Sequence, residues 1–242
     1  MKVLLLSLMF MTAPNLLLAE DAAGLLAKAY LFSPSSCYVI RFDMAIQDAG
    51  GTKNREVELY MDRRQGHVFS LSRILKPAFM SDMKFLKRSQ DGKNDGVWIK
   101  TSNGVRRIGE GNKNESVFGS QFTIEDFGSI DDKGFDLSID DPLGTATEAA
   151  VSATPNAPTA YARRIIWVDR ISGLIMKMEY RDATNRTLRR YSVIRTGGSG
   201  KDLRPIMAKM EDIDGGGATV ISLLSYSSPL SLPERLFNPG SL

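Results

Sequence analysis

From Cys37 onward, apolar and polar positions alternate with period two. Tyr38, Ile40, Phe42, Met44 and Ile46 alternate with Val39, Arg41, Asp43, Ala45 and Gln47, as in a strand with one buried face. Asp48-Ala49-Gly50-Gly51 reads as a turn, after which Val57, Leu59 and Met61 resume the alternation against Glu56, Glu58 and Tyr60. Gly66 turns the chain into Phe69 and Leu71. Asn103-Gly104 is a hairpin signal between residues 98–100 and 105–108. Ser172-Gly173, Asp182 to Asn185 and Gly215-Gly216-Gly217 punctuate further strand-like runs to the end. The pattern predicts roughly a dozen strands at hairpin spacing.

Helical spacing is convincing in one place. Over residues 20–32, Leu25, Leu26, Ala29 and Phe32 share a face, acidic residues occupy the first turn, and Pro34 stops the run. Residues 145–160, rich in Ala, Thr and Pro, read as a flexible stretch too short for a domain linker. The expected fold is therefore mainly β (α+β), one antiparallel meander curled into a barrel or half-barrel.

The first nineteen residues read differently from the rest. Met1 and Lys2 give a positive start, Val3 to Met11 is apolar, and Pro14 and Asn15 precede Leu17-Leu18-Ala19. That order matches a secretory signal cut after Ala19, with Ala22 or Ala23 as alternative cuts. The apolar core is far short of the roughly 20 residues that span a bilayer. The expectation is a signal peptide over 1–19 and a single domain over 20–242. Cys37 lies far past the apolar core, so it reads as a small buried residue and not as a lipidated one.

Composition narrows the chemistry. With 43% hydrophobic and 24% charged residues, the chain is not a disordered one. A net charge of +3 leaves no reason to invoke nucleic acid. One histidine (His67) and one cysteine exclude a Cys/His zinc site, a disulfide within the chain and a CxxC redox pair. His67 has no local nucleophile or orienting partner set, and reads as a strand-edge residue. Asp131-Asp132 and Asp140-Asp141 sit in predicted loops without calcium-loop spacing. The loop from Gly109 to Lys113 lacks a phosphate-binding ending. The paired bases Lys87-Arg88, Arg106-Arg107, Arg163-Arg164 and Arg189-Arg190 are scattered and read as solvated strand faces. No catalytic residue, metal or cofactor is expected.

What remains is apolar strand face with flexible side chains. Beyond the signal there are methionines at 44, 61, 80, 83, 176, 178, 207 and 210, a residue type that adapts to irregular apolar surfaces. Read by alternation, the inward set is Ile40, Phe42, Met44, Leu59, Met61, Phe69, Leu71, Met83, Phe85, Met176 and Met178. It lines either a plain core or an apolar cavity.

One segment carries a family resemblance. Gly96-Val97-Trp98 leads to Val105-Arg106-Arg107-Ile108, and then Ser116-Val117-Phe118-Gly119-Ser120-Gln121-Phe122 runs on to Glu125-Asp126-Phe127. With its flanks from residue 66 to 238, this resembles the outer-membrane lipoprotein-sorting (LolA-like) family. Gln121 stands where that family favours Asp, and Ile124 where it favours Tyr. The resemblance implies an incompletely closed antiparallel barrel with a helical lid over an apolar cavity. It assigns Trp98, Arg107, Ser116, Phe118, Gly119, Ser120, Phe122, Glu125 and Asp126 structural roles: Gly119-Ser120 a tight backbone passage, Glu125-Asp126 an exposed turn. The function it implies is a non-enzymatic periplasmic carrier of lipid or acylated lipoprotein, passing cargo toward the outer membrane. The partners it implies are an RND-type inner-membrane exporter and an outer-membrane acceptor. An exporter accessory subunit or an envelope-stress sensor without cargo is the alternative, and an enzyme acting on envelope lipid is the third reading.

The signal reading has a direct check. N-terminal sequencing of the protein made in a Gram-negative host should begin at Glu20 or within a few residues of it, whereas a chain retaining Met1 in the cytoplasm refutes export.

Overall fold

A computed structural model describes residues 21–64, 66–90, 93–109, 115–127, 134–157 and 159–242. The expected signal over 1–19, the pair Asp131-Asp132 and most of the 109–113 loop lie outside the described residues. The chain opens with a short helix α1 (Ala22–Lys28), capped by Asp21, whose carboxylate accepts the Gly24 amide at 2.6 Å. Six strands follow: β1 (Cys37–Asp48), β2 (Gly51–Asp62), β3 (His67–Lys76), β4 (Lys84–Gln90), β5 (Lys93–Thr101) and β6 (Gly104–Arg107). After a crossing segment come β7 (Phe135–Ile139), β8 (Glu148–Pro155), β9 (Arg163–Asp169), β10 (Ile175–Arg181), β11 (Thr187–Gly197), β12 (Arg204–Asp212) and β13 (Ala218–Ser227).

Among the described residues these thirteen strands form one antiparallel sheet, ordered β6-β5-β4-β3-β2-β1-β13-β12-β11-β10-β9-β8-β7. Two meanders meet where β1 pairs β13, and the edge strands β6 and β7 do not pair. The sheet therefore stays open, as the LolA-like resemblance implies. The crossing segment from β6 to β7 carries Val117, Phe118, Phe122 and Ile124 into the main apolar cluster. Helix α1 adds Ala22, Leu25 and Leu26 to the same cluster. One face is thus covered from within by chain that belongs to no strand.

Register explains which residues face inward. Phe42 opposes Val57 and Leu223, while Met44 opposes Ile221, and all are buried except half-buried Leu223. On the outer face, Tyr60 opposes Leu71 and Leu71 opposes Leu86. A second apolar cluster forms there, with Phe69, Leu71 and Leu86 packed on Phe237, and Trp98, Leu232, Leu236 and Leu242 around them. The C-terminal turns cover this outer patch. Trp98 also lies over Gly96, whose missing side chain leaves room for the ring: a Cβ there would come within 2.0 Å of it.

Three expectations need correction. The helix ends at Lys28 and not at Phe32, because Tyr30 leaves it to bridge Leu174 beside β10. The hairpin at 98–108 has Ser102 and Asn103 as its loop, with Thr101 paired to Gly104 at φ 110°. The supposedly flexible 145–160 stretch contains β8, in which Ala149, Ala150, Val151 and Ala153 are fully buried. It is covered on both faces, so its small residues show no alternation.

Glu179 on β10 is buried and lies within 3.3 Å of Lys177, Arg181 and Arg190. Burial pushes its carboxyl pKa up, but the Arg181 and Lys177 contacts outweigh burial and leave it below the ordinary carboxylate range. A carboxylate held down in this way stabilises the fold above its unfolded pKa and loses that contribution as pH falls through the folded one. Glu179→Gln should therefore lower the melting temperature at pH 7, with the difference from wild type shrinking as pH falls below about 4. A difference independent of pH would show that packing, not charge, sets its contribution.

Candidate functional site

The crossing segment is a built object. Ser116 bridges Thr123, and the Ser120 amide donates to the Val117 carbonyl at 3.1 Å, closing a turn in which Phe118 and Gly119 both have positive φ, 56° and 75°. Two left-handed residues in succession make a type I′ hairpin turn, which glycine adopts freely and phenylalanine does not. Phe118 is held there by burial in the main cluster. The Ser116 hydroxyl donates to the Ser120 carbonyl at 2.7 Å, and the Ser120 hydroxyl donates to that of Val117 at 2.6 Å.

Glu125-Asp126 was expected in an exposed turn and is a clamp instead. Asp126 is buried and accepts the Arg189 guanidinium at 2.6 Å, and Arg189 also donates to the Gln121 carbonyl. Glu125 lies 3.4 Å from Arg164, which is 1% exposed and surrounded by the rings of Phe135, Tyr161 and Tyr180 at 4.6–5.3 Å. Both arginines come from strand faces read as solvated. Burial and the nearby Asp126 push the Tyr180 phenol well above its ordinary pKa, so it stays neutral beside them. Gln121 ties the same segment to β13: its amide accepts the Thr219 hydroxyl, and its backbone N–H donates back at 3.1 Å. Outside, Arg107 stacks on Trp98 at 5.6 Å, a cross-strand pair beside the outer apolar cluster.

Two narrow apolar pockets lie on the inner face, one of them beneath this cover. That one, of about 10 Å³, is lined by Phe42, Met44, Val57, Leu59, Phe118 and Phe122, with Ser72 as a polar exception. The other, of about 20 Å³, is lined by Ile40, Phe42, Pro205, Ile206, Met207 and Leu223 among others. Phe32 and Ile221 belong to both walls, and the Phe32 ring stacks on Phe42 at 6.4 Å with 9° between planes. Tyr191, facing the main cluster, is buried with its hydroxyl unpaired among the described residues.

The alternation set divides accordingly. Ile40, Phe42, Met44, Leu59, Phe85 and Met178 are buried in the main cluster, with Met61 and Met83 half-buried against it. Of these, Ile40, Phe42, Met44 and Leu59 line the two pockets. Phe69 and Leu71 are corrected to the outer face, because on β3 the inward positions belong to Ser70, Ser72 and Ile74. Met176 is also corrected. The register slips by one residue between Ile175 and Lys177, leaving Met176 unpaired with β9 and only half-buried. His67 stacks on Phe69 at 4.2 Å and lies 3.4 Å from Asp62, whose carboxylate is held mainly by Arg64. Phe32, Arg164 and Arg189 were missed. The signal for Arg189 was present: it shares a strand face with Tyr191, and an arginine on an inward face needs an inward acid.

Comparison with known proteins fits this geometry. A family model described as "Uncharacterized protein" matches residues 66–242. No curated protein matches the chain. An outer membrane lipoprotein-sorting protein domain from Vibrio parahaemolyticus superposes with a TM-score of 0.75 at 19% identity, over 85% of this chain and 90% of that one. A DUF1329 family protein from Desulfovibrio piger gives 0.75 at 22% identity, over 86% and 92%. A LolA superfamily protein from Nitrosomonas europaea gives 0.67 at 15%, over 92% and 99%. At these identities the likeness establishes the LolA-like fold and not an activity.

The clamp predicts its own test. Arg189→Ala leaves the Asp126 carboxylate buried without its partner, which should cost about 3 kcal/mol in a denaturant melt. A loss below about 0.5 kcal/mol would mean that apolar contacts alone hold the segment down.

Proposed function

We infer that this chain, which belongs to the family whose model spans residues 66–242, is a non-enzymatic carrier of acyl chains in the periplasm. The observation that carries this reading is a pair of apolar pockets that share Phe32 and Phe42, one walled by Met44 and Leu59 beneath the crossing segment and the other by Ile40, Pro205 and Leu223. Each buried methylene is worth about 0.8 kcal/mol, so moving an acyl chain through water requires an apolar wall of matching length. Unopened, they hold about 10 and 20 Å³, room for about one water molecule each and far below the roughly 300–1,000 Å³ that small-molecule sites occupy. Cargo binding therefore requires side chains to move apart. The cargo is lipid or the acyl chains of a lipoprotein, received from an RND-type inner-membrane exporter and handed to an outer-membrane acceptor. A likeness to a lipoprotein-sorting domain and a LolA superfamily protein supports the reading. Among the described residues no helix is long and apolar enough to cross a membrane.

A second reading draws on a specific observation. Helix α1 and the crossing segment already pack their apolar residues on the inner face, which suits a subunit of the exporter or an envelope sensor that holds no cargo.

Met44 decides between them, since it lines the pocket beneath the crossing segment from the centre of β1. Met44→Asp should abolish uptake of a fluorescent fatty acid while far-UV circular dichroism keeps the strand signature. A carboxylate there opposes acyl burial but is hydrated when the pocket opens. Met178, buried on β10 and outside both pocket walls, is the control: Met178→Ala should cost about 2–5 kcal/mol in stability and leave uptake within twofold. Wild-type protein that binds no fatty acid and copurifies without lipid would favour the subunit or sensor.

A further inference from the structure

The sheet forks between β12 and β13. Their pairing runs from Glu211 opposite Ala218 to Met207 opposite Ser222, and there it stops. Beyond that level, Arg204 and Pro205 pair with Gly197 and Thr196 on β11, while Leu223, Ser225, Tyr226 and Ser227 pair with β1. The sequence builds the fork. Three strands each skip one residue at this level, Ile194 on β11, Ile206 on β12 and Leu224 on β13, and such bulges bend and twist a strand away from its neighbour. Pro205 offers no backbone N–H to a partner. This opening lies in the middle of the sheet, away from the unpaired edges β6 and β7.

The fork is closed by side chains and not by a ladder. The Arg204 guanidinium lies 4.2 Å from the centre of the Tyr226 ring, on the opposite arm. The segment after α1 passes between the arms: the Tyr30 hydroxyl donates to the Leu203 carbonyl at 2.6 Å, and the hydroxyls of Ser33 and Ser35 meet that of Tyr226 at 3.0 and 2.9 Å. Phe32, in the middle of this segment, enters the fork. The pocket at the fork has one wall on each arm, Pro205, Ile206 and Met207 against Ile221 and Leu223, and Phe32 lines both it and the pocket beneath the crossing segment. Outside, Ile194 and Leu224 are 54% and 51% exposed beside the opening.

We propose that this fork is the port through which an acyl chain enters, with Phe32 as the wedge it displaces and Arg204 as the cation that receives its anionic head. This rests on the carrier reading and names its route. Withdrawing Phe32 joins the two pockets into one apolar channel running inward from the fork. Its segment is held by these side-chain hydrogen bonds, each worth about 1 kcal/mol, by Arg63 on the Ser33 and Ser35 carbonyls and by the Tyr30 backbone bonds to Gly173 and Ile175, so Phe32 yields by swinging its side chain while no strand unpairs. Arg204 sits beside Tyr226 at the fork with its Nε buried and unpaired among the described residues, a donor that a carboxylate or a phosphate entering there would satisfy. A free fatty acid and a phospholipid share this chemistry.

The test uses the mature protein and three probes: palmitate, 1-hexadecanol and dipalmitoyl phosphatidylglycerol, with palmitate also carrying a photoactivatable diazirine in its tail. Phe32→Ala should speed palmitate uptake at least fivefold and Phe32→Trp should slow it, each variant checked by thermal melt. Arg204→Ala should weaken palmitate binding at least tenfold and leave hexadecanol within twofold. Preference for phosphatidylglycerol over palmitate identifies a lipid headgroup as the natural anion, and the reverse identifies a free acid; loss at Arg204 is required in both. Cross-linked peptides should contain residues 204–208 and 221–226. Palmitate that binds with unchanged rates in both Phe32 variants, or that cross-links only at β6 and β7, overturns the port and leaves the carrier reading standing. Absence of binding in wild type and in Phe32→Ala overturns both.

Discussion

An open sheet whose edges never pair has an apolar face that must be covered by something other than more sheet. Everything else in this protein follows from how that cover is fastened. The crossing segment brings Val117, Phe118, Phe122 and Ile124 onto the inner face, but apolar contact alone is non-directional and would not fix its position. Position comes from the buried pairs Asp126–Arg189 and Glu125–Arg164 and from the Gln121–Thr219 contact. Buried charges are costly unless paired, so the segment has one low-energy seat and few alternatives. The I′ turn at Phe118-Gly119 is affordable only because that seat exists.

The two ends of the inner face are consequently different materials. Around β9–β11 it is packed and polar-clamped, with Arg164 and Arg189 enclosed by Tyr161, Tyr180, Glu125 and Asp126. Around β1, β12 and β13 it is apolar, pocketed and closed by side-chain hydrogen bonds to Tyr226 and Leu203. A rigid half beside a loosely fastened half allows a pocket to open without loosening the sheet, because the strand ladders of β1–β2 and β1–β13 run past it uninterrupted apart from one bulge.

The sequence made the first half of this legible and concealed much of the second. Alternation in β1 and β2 placed Ile40, Phe42, Met44 and Leu59 on the inner face, and the long central signature pointed to the LolA-like architecture. Alternation failed where a rule of phase was broken: at Met176, where a bulge shifts the count, and at Phe69 and Leu71, where the C-terminal turns cover the outer face. It was silent over β8, because a strand buried on both sides with alanine has no phase to show. The Glu125-Asp126 clamp was hidden for another reason. Its arginines lie far along the chain, and two adjacent acids without visible partners look like a solvated turn.

Phe32 illustrates why a residue's period does not reveal its task. Its spacing from Leu25 and Leu26 suits a helix, yet the helix stops at Lys28, and from there Tyr30 is drawn to Leu174 and Leu203. The free energy of those tertiary contacts exceeds the small helical preference of four residues, so the chain extends. Extension carries Phe32 across the forked strands, where its ring fills space that neither arm of the sheet fills. A helix continued to Phe32 would have packed another turn on the inner face and left the fork without this ring. Loss of the last helical turn and closure of the fork are thus one event, set by the competition between local propensity and a distant strand end.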